Sequence, residues 1–398
     1  MVKFPSMKDK NLELSGKVVL LREDMNVPID ESGLITDDSR IQEALTTIRY
    51  LVQKGARTVV MTHIGRPGGK VVENLRTEAV ATRLSILLKH EVKALRGYVG
   101  SEVEDAVKRM KDGEILFLEN LRFQPGEEAN DDDFARKLAA LGNFYVNDAF
   151  AVSHRANASV AAITEHIPSY AGLLLEKEIK VLAAALEKPK RPFIVILGGA
   201  KVSDKIGLIR NLASKADKIL IGGAMMFTFY KSRGFDVAAS KFEPDKVSAA
   251  DDLLNEFGDK IMLPVDVVVA EKFANDSRVE VVVAAEIPKG WMGLDIGPDT
   301  VERFRREISE AQTIIWNGPL GVFEFSSFAG GTFAVANAVA SMTGKATTVI
   351  GGGDTLSAVE KAGLKGKFSH SSTGGGAMLE FLEGKELPGV VALTSSMP

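Results

Sequence analysis

The chain alternates short, almost wholly apolar runs with longer stretches in which apolar residues recur at helical spacing. In the first half the apolar runs are "KVVLLRED", "RTVVMTH", "EILFLEN" and "NFYVNDAF". Between them lie amphipathic stretches such as "RIQEALTTIRYLVQKG" and "TEAVATRLSILLKH". The second half repeats the plan with "FIVILGG", "KILIGG", "IMLPVDVVVA", "TIIWNGP" and "TTVIGGG". A strand that is apolar on both faces belongs in a parallel sheet covered by helices on both sides. The pattern therefore predicts an α/β chain with two doubly wound parallel sheets of Rossmann-like form. Between the halves, "SYAGLLLEKEIKVLAAALEKPKRP" reads as one long helix, with Leu174, Ile179, Leu182 and Leu186 as its apolar positions and Pro189 and Pro192 as its stop. The expected division is a first domain over residues 1–169, a linking helix over 170–188 and a second domain over 189–379. Such a helix would hold the two sheets at a defined distance and let them hinge.

Length agrees with two domains, since 398 residues is long for one. The net charge of −4 is split evenly, −2 in residues 1–169 and −2 beyond. With no basic surplus in either half, a nucleic-acid partner is not expected. Any anion site must be built from a few convergent residues. There are no cysteines, which excludes disulfides, thiolate metal sites and cysteine nucleophiles together. No apolar run approaches the ~18–20 residues of a membrane span, and the N-terminal stretch is charged and broken by Pro5. A cytoplasmic protein without a membrane partner is expected.

Glycines cluster where strands hand over to helices, in "ILGGAKVSDK", "LIGGAMMF", "VIGGGDTLSAVE" and "SSTGGGAMLEF". Backbone N–H groups and the positive end of a helix dipole meet at such junctions, which suits phosphate. A single cluster would be read as a tight turn; four, one carrying Lys201 and another Asp354, point to a nucleotide. Neither GxxxxGK[ST] nor a strand-following GxGxxG occurs, so this is not one of the two commonest nucleotide motifs. Asp354 suits an acceptor for Mg²⁺ held on phosphate oxygens. Its plain alternative is an N-cap for the following helix, shared with Thr355. Lys205, four residues after Lys201, would share its helix face if the helix starts at the loop.

In the first half the candidate chemistry is charge at strand exits. "LLREDMNVP" places Arg22, Asp24 and Asn26 before Pro28, "MTHIGRP" places His63 and Arg66 before another proline, "FLENLRF" delivers Arg122, and "VNDAFAVSHRANAS" delivers His154 and Arg155. Arg40 opens the next helix. Singly, each reads as a surface ion-pair residue. Together at one sheet edge, they suit a small phosphorylated, carboxylated substrate, because the guanidinium fork pairs bidentately with both groups. His63 lacks a partner carboxylate by spacing, so it ranks as a binding residue and not as a base. One domain for a small anion and one for a nucleotide suggest phosphoryl transfer by positioning and charge neutralisation.

These stretches, with "WMGLDIGP", "WNGPLGVFE" and "HSSTGGGAMLEFLEGKELPGV", resemble the phosphoglycerate kinase family in its own motif order along nearly the whole chain. The resemblance implies transfer from 1,3-bisphosphoglycerate to ADP, giving 3-phosphoglycerate and ATP, with Mg²⁺ accompanying the nucleotide, in a monomer. It implies phosphoglycerate binding by Asp24, Met25, Asn26, Arg40, His63, Ile64, Gly65, Arg66, Arg122 and Arg155. Nucleotide binding falls to Gly199, Lys201, Lys205, Gly293, Asn317, Pro319, Glu324, Gly352, Gly353, Asp354 and Thr355, with Asp354 on the metal and Glu324 on the ribose. Arg40, Lys201, Lys205, Gly353 and Gly376 are the positions expected to steady the moving phosphoryl group. Glu178 and His370 match hinge positions, and the tail 380–398 is expected to return to the first domain. Three departures stand out. Glu23 and Met25 replace the family's usual residues in RVDFNVP, and Glu23 would add charge beside an anion site, although strand alternation should point it opposite to Asp24. "AFAVSHR" replaces AFGTAHR. Ala224 stands where a third glycine is usual, and would be strained if that backbone needs φ > 0. Within the same folds, a two-domain dehydrogenase lacks its GxGxxG here, and a non-catalytic protein closing on one ligand would not need two chemically different sites.

Overall fold

The structure, a computed structural model, describes residues 4–10 and 12–395. The chain divides into two compact units, residues 1–180 with 386–398, and residues 181–385. The first unit holds six parallel strands, β1 (Val18–Arg22), β2 (Arg57–Met61), β3 (Val92–Ala94), β4 (Ile115–Phe117), β5 (Phe144–Asn147) and β6 (Ser169–Ala171), in the order β3-β4-β2-β1-β5-β6. Successive side chains of a strand point to opposite faces, so a strand apolar throughout feeds two cores. Val19 and Leu21 pack with Ile41, Ile48 and Leu84 from helices Ser39–Gln53 and Glu78–Leu88 on one face. Val18 and Leu20 pack with Val103, Phe134 and Leu138 from helices Ser101–Lys108 and Asp132–Ala139 on the other. Truncating a wholly buried leucine such as Leu20 or Leu21 to alanine costs about 2–5 kcal/mol.

The second unit repeats the plan. Its main sheet contains β7 (Phe193–Leu197), β8 (Lys218–Ile221), β9 (Ile261–Met262), β13 (Thr313–Asn317), β14 (Thr347–Gly351) and β15 (His370–Ser372), all parallel, in the order β15-β14-β13-β7-β8-β9. In each sheet the first strand is flanked by the next strand in sequence on one side and by a much later one on the other: β1 lies between β2 and β5, and β7 between β8 and β13. The helical cover changes sides there, which leaves a crevice at the carboxyl ends of the strands.

Three expectations change. The run "IMLPVDVVVA" is not one strand: it divides into β9 and β10 (Asp266–Ala270), because Pro264 has no N–H to give a ladder. β10 then joins a separate antiparallel sheet with β11 (Val279–Val283) and β12 (Met292–Ile296), in the order β11-β10-β12. The linking helix does not begin at 170. Residues Ser169–Ala171 are β6, paired with β5, and the helix runs Leu173–Glu187. Asp148 makes the break, since its Oδ1 accepts from the backbone N–H of Leu174 (2.7 Å) and Leu175 (3.1 Å) at the helix start. The return to the first unit begins at Glu386, and helix Gly376–Leu382 belongs to the second. Helix Pro388–Ser395 docks closely: the Gly389 N–H donates to the Ser153 carbonyl at 2.8 Å, and a Cβ on Gly389 would lie 2.6 Å from Val160.

Candidate functional site

In the first unit the exits of β1, β2, β4 and β5 bring the charged candidates to one edge. Asp24 lies just past β1 and takes Arg40 Nη1 on its Oδ2 at 2.8 Å, while its Oδ1 accepts from the Asn26 N–H at 3.1 Å. Asn26 Oδ1 in turn accepts from the Gly65 N–H at 2.8 Å, joining the β1 and β2 exits. Arg122 Nη1 donates to the Gly65 carbonyl at 2.9 Å, and its Nε lies 3.2 Å from Glu128. Arg155 Nε lies 3.3 Å from His154 Nε2. Arg66 is exposed and forms no ion pair with a described residue.

His63 is buried at the centre of this group. Burial lowers its pKa well below the ordinary imidazole value, and the charges of Arg22, Arg122, Arg40 and Arg155 lower it further. Four guanidinium groups therefore act on one imidazole, which is neutral at physiological pH. Met25 and Ile64 are placed otherwise: both side chains belong to the apolar core, so only their backbones border this edge. The Met25 N–H donates to Thr62 Oγ1 at 3.0 Å, and both backbone groups of Ile64 are held by the buried Asn120 side chain. Asn120 and Thr62 set the shape of this edge but carry no charge, so the charge pattern along the chain does not mark them. A groove of about 1010 Å³ elsewhere in this unit, lined by Pro5, His166, Tyr170 and Pro388, contains none of the candidates.

In the second unit the exits of β7, β13 and β14 are laced together. Lys205 is 7% exposed and donates from Nζ to the Asn317 carbonyl (3.0 Å) and to Asn317 Oδ1. Burial pushes its pKa down to about 8, opposed by the charges of Asp204 and Asp354. Asn317 Nδ2 donates to the Gly351 carbonyl at 2.8 Å, and the Gly318 N–H donates to Thr355 Oγ1 at 2.7 Å. The helix after the β7 loop is Ile206–Ala213, so Lys205 stands before its first turn and Lys201 lies in the loop. The two lysines do not share a helix face. Lys201 and Glu324 are exposed.

The glycines fall into two classes. At Gly198 a Cβ would lie 2.0 Å from the Pro319 carbonyl, at Gly223 2.4 Å from the Gly199 nitrogen, and at Gly318 2.4 Å from the Gly198 carbonyl. Their N–H groups are also engaged: Gly198 donates to Asn317, Gly199 to Pro319 and Gly223 to Leu320. These loops lack side chains because they pack on one another, and most of their N–H groups are not offered to phosphate. Gly293 is small for a similar reason, as its Cβ would meet the Phe227 ring at 2.2 Å. Around Gly353 and Gly375, by contrast, an added Cβ would meet nothing within 4 Å. Gly352 and Gly375 are the caps of helices Gly353–Lys361 and Gly376–Leu382, and neither brings a capping side chain. The first N–H groups of those helices have no partner within the helix.

Asp354 is exposed in the first turn of helix Gly353–Lys361 and is not its cap. Its carboxylate accepts no hydrogen bond from a described residue, and Thr355 serves Gly318. The capping alternative is therefore set aside. Among the described residues no group of three or more His, Asp or Glu could hold a metal alone. One open carboxylate beside a bare helix start suits an Mg²⁺ that arrives on phosphate oxygens. Two of the departures bring neither backbone strain nor exposed charge. Ala224 has φ −62°, ordinary for alanine, and the positive φ falls on Gly223. Glu23 is buried away from the edge. Burial, and after it the neighbouring Asp148, raise its pKa well above the usual carboxylate range, and its side chain adds no exposed charge to the edge that carries the arginines.

A profile of the phosphoglycerate kinase family matches residues 9–385. The chain is similar to the phosphoglycerate kinase of Picosynechococcus sp., with 53% identity over 383 residues and 96% of each chain covered. It is equally similar to that of Moorella thermoacetica, 53% over 388 residues, covering 97% of this chain and 98% of the other. Among solved structures, the phosphoglycerate kinase from Coxiella burnetii matches with a TM-score of 0.89 at 39% identity over 99% of both chains. That from Pyrococcus horikoshii matches at 0.85 and 34%, over 97% of this chain and 98% of the other.

Proposed function

Because the chain belongs to the phosphoglycerate kinase family, we propose that its first unit holds the phosphoglycerate and its second the nucleotide. The reaction is the glycolytic transfer of a phosphoryl group between 1,3-bisphosphoglycerate and ADP, giving 3-phosphoglycerate and ATP. The observation that carries the assignment of residues is the set of guanidinium groups around His63. Arg40, Arg66, Arg122 and Arg155 suit the carboxylate and phosphate of the substrate, with Asp24 and Asn26 orienting Arg40 and the β2 exit. His63, being neutral, donates one hydrogen bond and takes no proton. The chemistry agrees, because the nucleophile in the ATP-consuming direction is a carboxylate that is already ionised and needs no base.

On the nucleotide side, Lys201, Lys205 and the N–H groups at Gly353 and Gly376 bring positive charge to the phosphates, and Glu324 receives the ribose hydroxyls. Asp354 would hold Mg²⁺, which supplies charge neutralisation on the phosphate oxygens when bound. Asn317 keeps the Lys205 ammonium in place. The reading carries the expectation of a cytoplasmic monomer; among the described residues no helix is long and apolar enough to cross a membrane.

The test is a coupled assay with 3-phosphoglycerate, ATP and Mg²⁺, following NADH consumption through glyceraldehyde-3-phosphate dehydrogenase. Arg40→Ala should lower turnover by about 10²–10³, the usual loss of one group that stabilises transition-state charge, with ADP affinity unchanged. An equal loss of ADP affinity would overturn the assignment of Arg40.

A further inference from the structure

Arg22 ends β1 among the candidate ligands, yet its guanidinium is wholly engaged by protein. Nε donates to Ser159 Oγ at 2.8 Å, Nη1 to the Glu23 carbonyl, and Nη2 lies 3.3 Å from His63 Nδ1. Behind it, Ser159 Oγ donates to Glu127 Oε1 at 2.6 Å, the Ser159 N–H donates to Glu127 Oε2 at 3.0 Å, and Arg22 Nη2 stands 3.8 Å from Glu127 Oε1. Tyr145 closes the group by donating its hydroxyl to the Ser159 carbonyl at 2.6 Å. Arg22 is 1% exposed, Glu127 and Ser159 0% and His63 3%. Every hydrogen bond in this chain has a fixed direction, because a guanidinium can only donate and a carboxylate can only accept. The Ser159 hydroxyl must accept from Arg22 and donate to Glu127. His63 Nδ1, facing an arginine N–H, must present its lone pair, so the ring proton resides on Nε2.

We propose that Arg22 is a positioning residue for phosphoryl transfer, anchored by Ser159 and Glu127, which locks His63 in the neutral tautomer with its proton on Nε2. The proposal rests on the reading of His63 as a phosphoglycerate ligand. It assigns Arg22 a different task from the arginines around it: the others meet the substrate, and Arg22 keeps one imidazole nitrogen as an acceptor so that the other is a donor throughout the working pH range. The charges facing His63 are those of Arg22 on β1, Arg40 on helix Ser39–Gln53, and Arg122 and Arg155 on the loops after β4 and β5. All are positive, and none would draw a proton onto the ring.

The experiment is nitrogen-15 NMR of the histidine rings in the full chain at pH 7, with His63 among the five histidines assigned by His63→Gln. The expected spectrum shows an unprotonated Nδ1 and a protonated Nε2; a protonated Nδ1 or an imidazolium would overturn the proposal. Ser159→Ala removes the anchor with a small change in volume, and Arg22→Lys removes the fork that reaches Ser159 and His63 together. In a folded variant, the His63 signal should move to a mixture of tautomers. The KM for 3-phosphoglycerate should rise about tenfold, the worth of one hydrogen bond, with the KM for ATP unchanged. An unaltered tautomer in both variants would refute the lock. Adding 3-phosphoglycerate to the wild type should shift the Nε2 signal. A locked tautomer that ignores 3-phosphoglycerate would instead refute the substrate reading of His63 while leaving its bond to Arg22 intact.

Discussion

Lys205 is the side chain whose charge should depend most directly on the nucleotide. Its ammonium is buried against Asn317, and its pKa falls from the ordinary 10.5 to about 8. At pH 8.5 about a quarter of the free protein would carry the proton, and phosphate bound nearby would restore it to nearly all. Binding of MgADP at that pH should therefore take up about three quarters of a proton. Above pH 8 the affinity should fall about tenfold per unit, which is about 1.4 kcal/mol. Calorimetry in two buffers of different ionisation enthalpy measures the uptake directly. Lys205→Met should abolish it and bind MgADP with little pH dependence from 8 to 9.5. The sign for stability is the reverse of a paired lysine. The unfolded chain holds the proton up to 10.5 and the folded one only up to about 8, so burial of the charge opposes folding below pH 8. That opposition is relieved as pH rises through the window between the two values. No proton uptake in the wild type, or equal uptake in Lys205→Met, would refute the reasoning.

Asp354→Ala should weaken MgADP more than metal-free ADP in the same titration, whereas equal weakening would refute a metal contact by Asp354. The two glycine classes should separate cleanly: Gly198→Ala forces a Cβ to 2.0 Å from a carbonyl and should cost several kcal/mol in thermal melts, while Gly353→Ala, with open space around it, should leave the melting temperature within a degree or two. Glu23→Gln should remove a pH dependence. The folded state keeps the Glu23 proton above the pH at which the unfolded chain releases it, so wild-type stability falls as pH rises through the folded pKa. The variant's advantage in urea midpoint should accordingly grow as the pH rises above the ordinary carboxylate value of 4.5, and a constant difference would mean that the fold does not raise the pKa of Glu23.

The two parallel sheets were legible because their strands are buried on both faces and leave continuous apolar runs. The antiparallel sheet was not, since "VEVVV" pairs only through one strand and keeps Val279, Val281 and Val283 exposed. β6 was hidden because three residues beside a long helical period carry no period of their own. At the candidate site, charged residues at strand exits could be read along the chain, but their partners could not. Ser159 lies 137 residues from Arg22 and 32 from Glu127, and neither was singled out by local pattern. For Glu23, strand alternation gave its direction away from Asp24, but the sequence could not show the burial that raises its pKa. The glycine clusters were visible, yet adjacency to a strand does not tell a loop that touches phosphate from one that touches another loop.

The segment from Glu386 onward belongs with residues 1–180, so the order in which the chain is made differs from the order in which its first unit is completed. The sheet β1–β6 leaves the ribosome first, but the seat for Gly389 against Ser153 and Val160 stays open until the whole of residues 181–385 has been synthesised. At ordinary elongation rates that interval is on the order of tens of seconds, far longer than most domains need to collapse. The nascent first unit must therefore persist with one apolar seat uncovered, next to the turn that carries Arg155. Its final ordering is gated by translation of residues 181–385, so the edge that carries the candidate arginines would mature only after the second unit has been made.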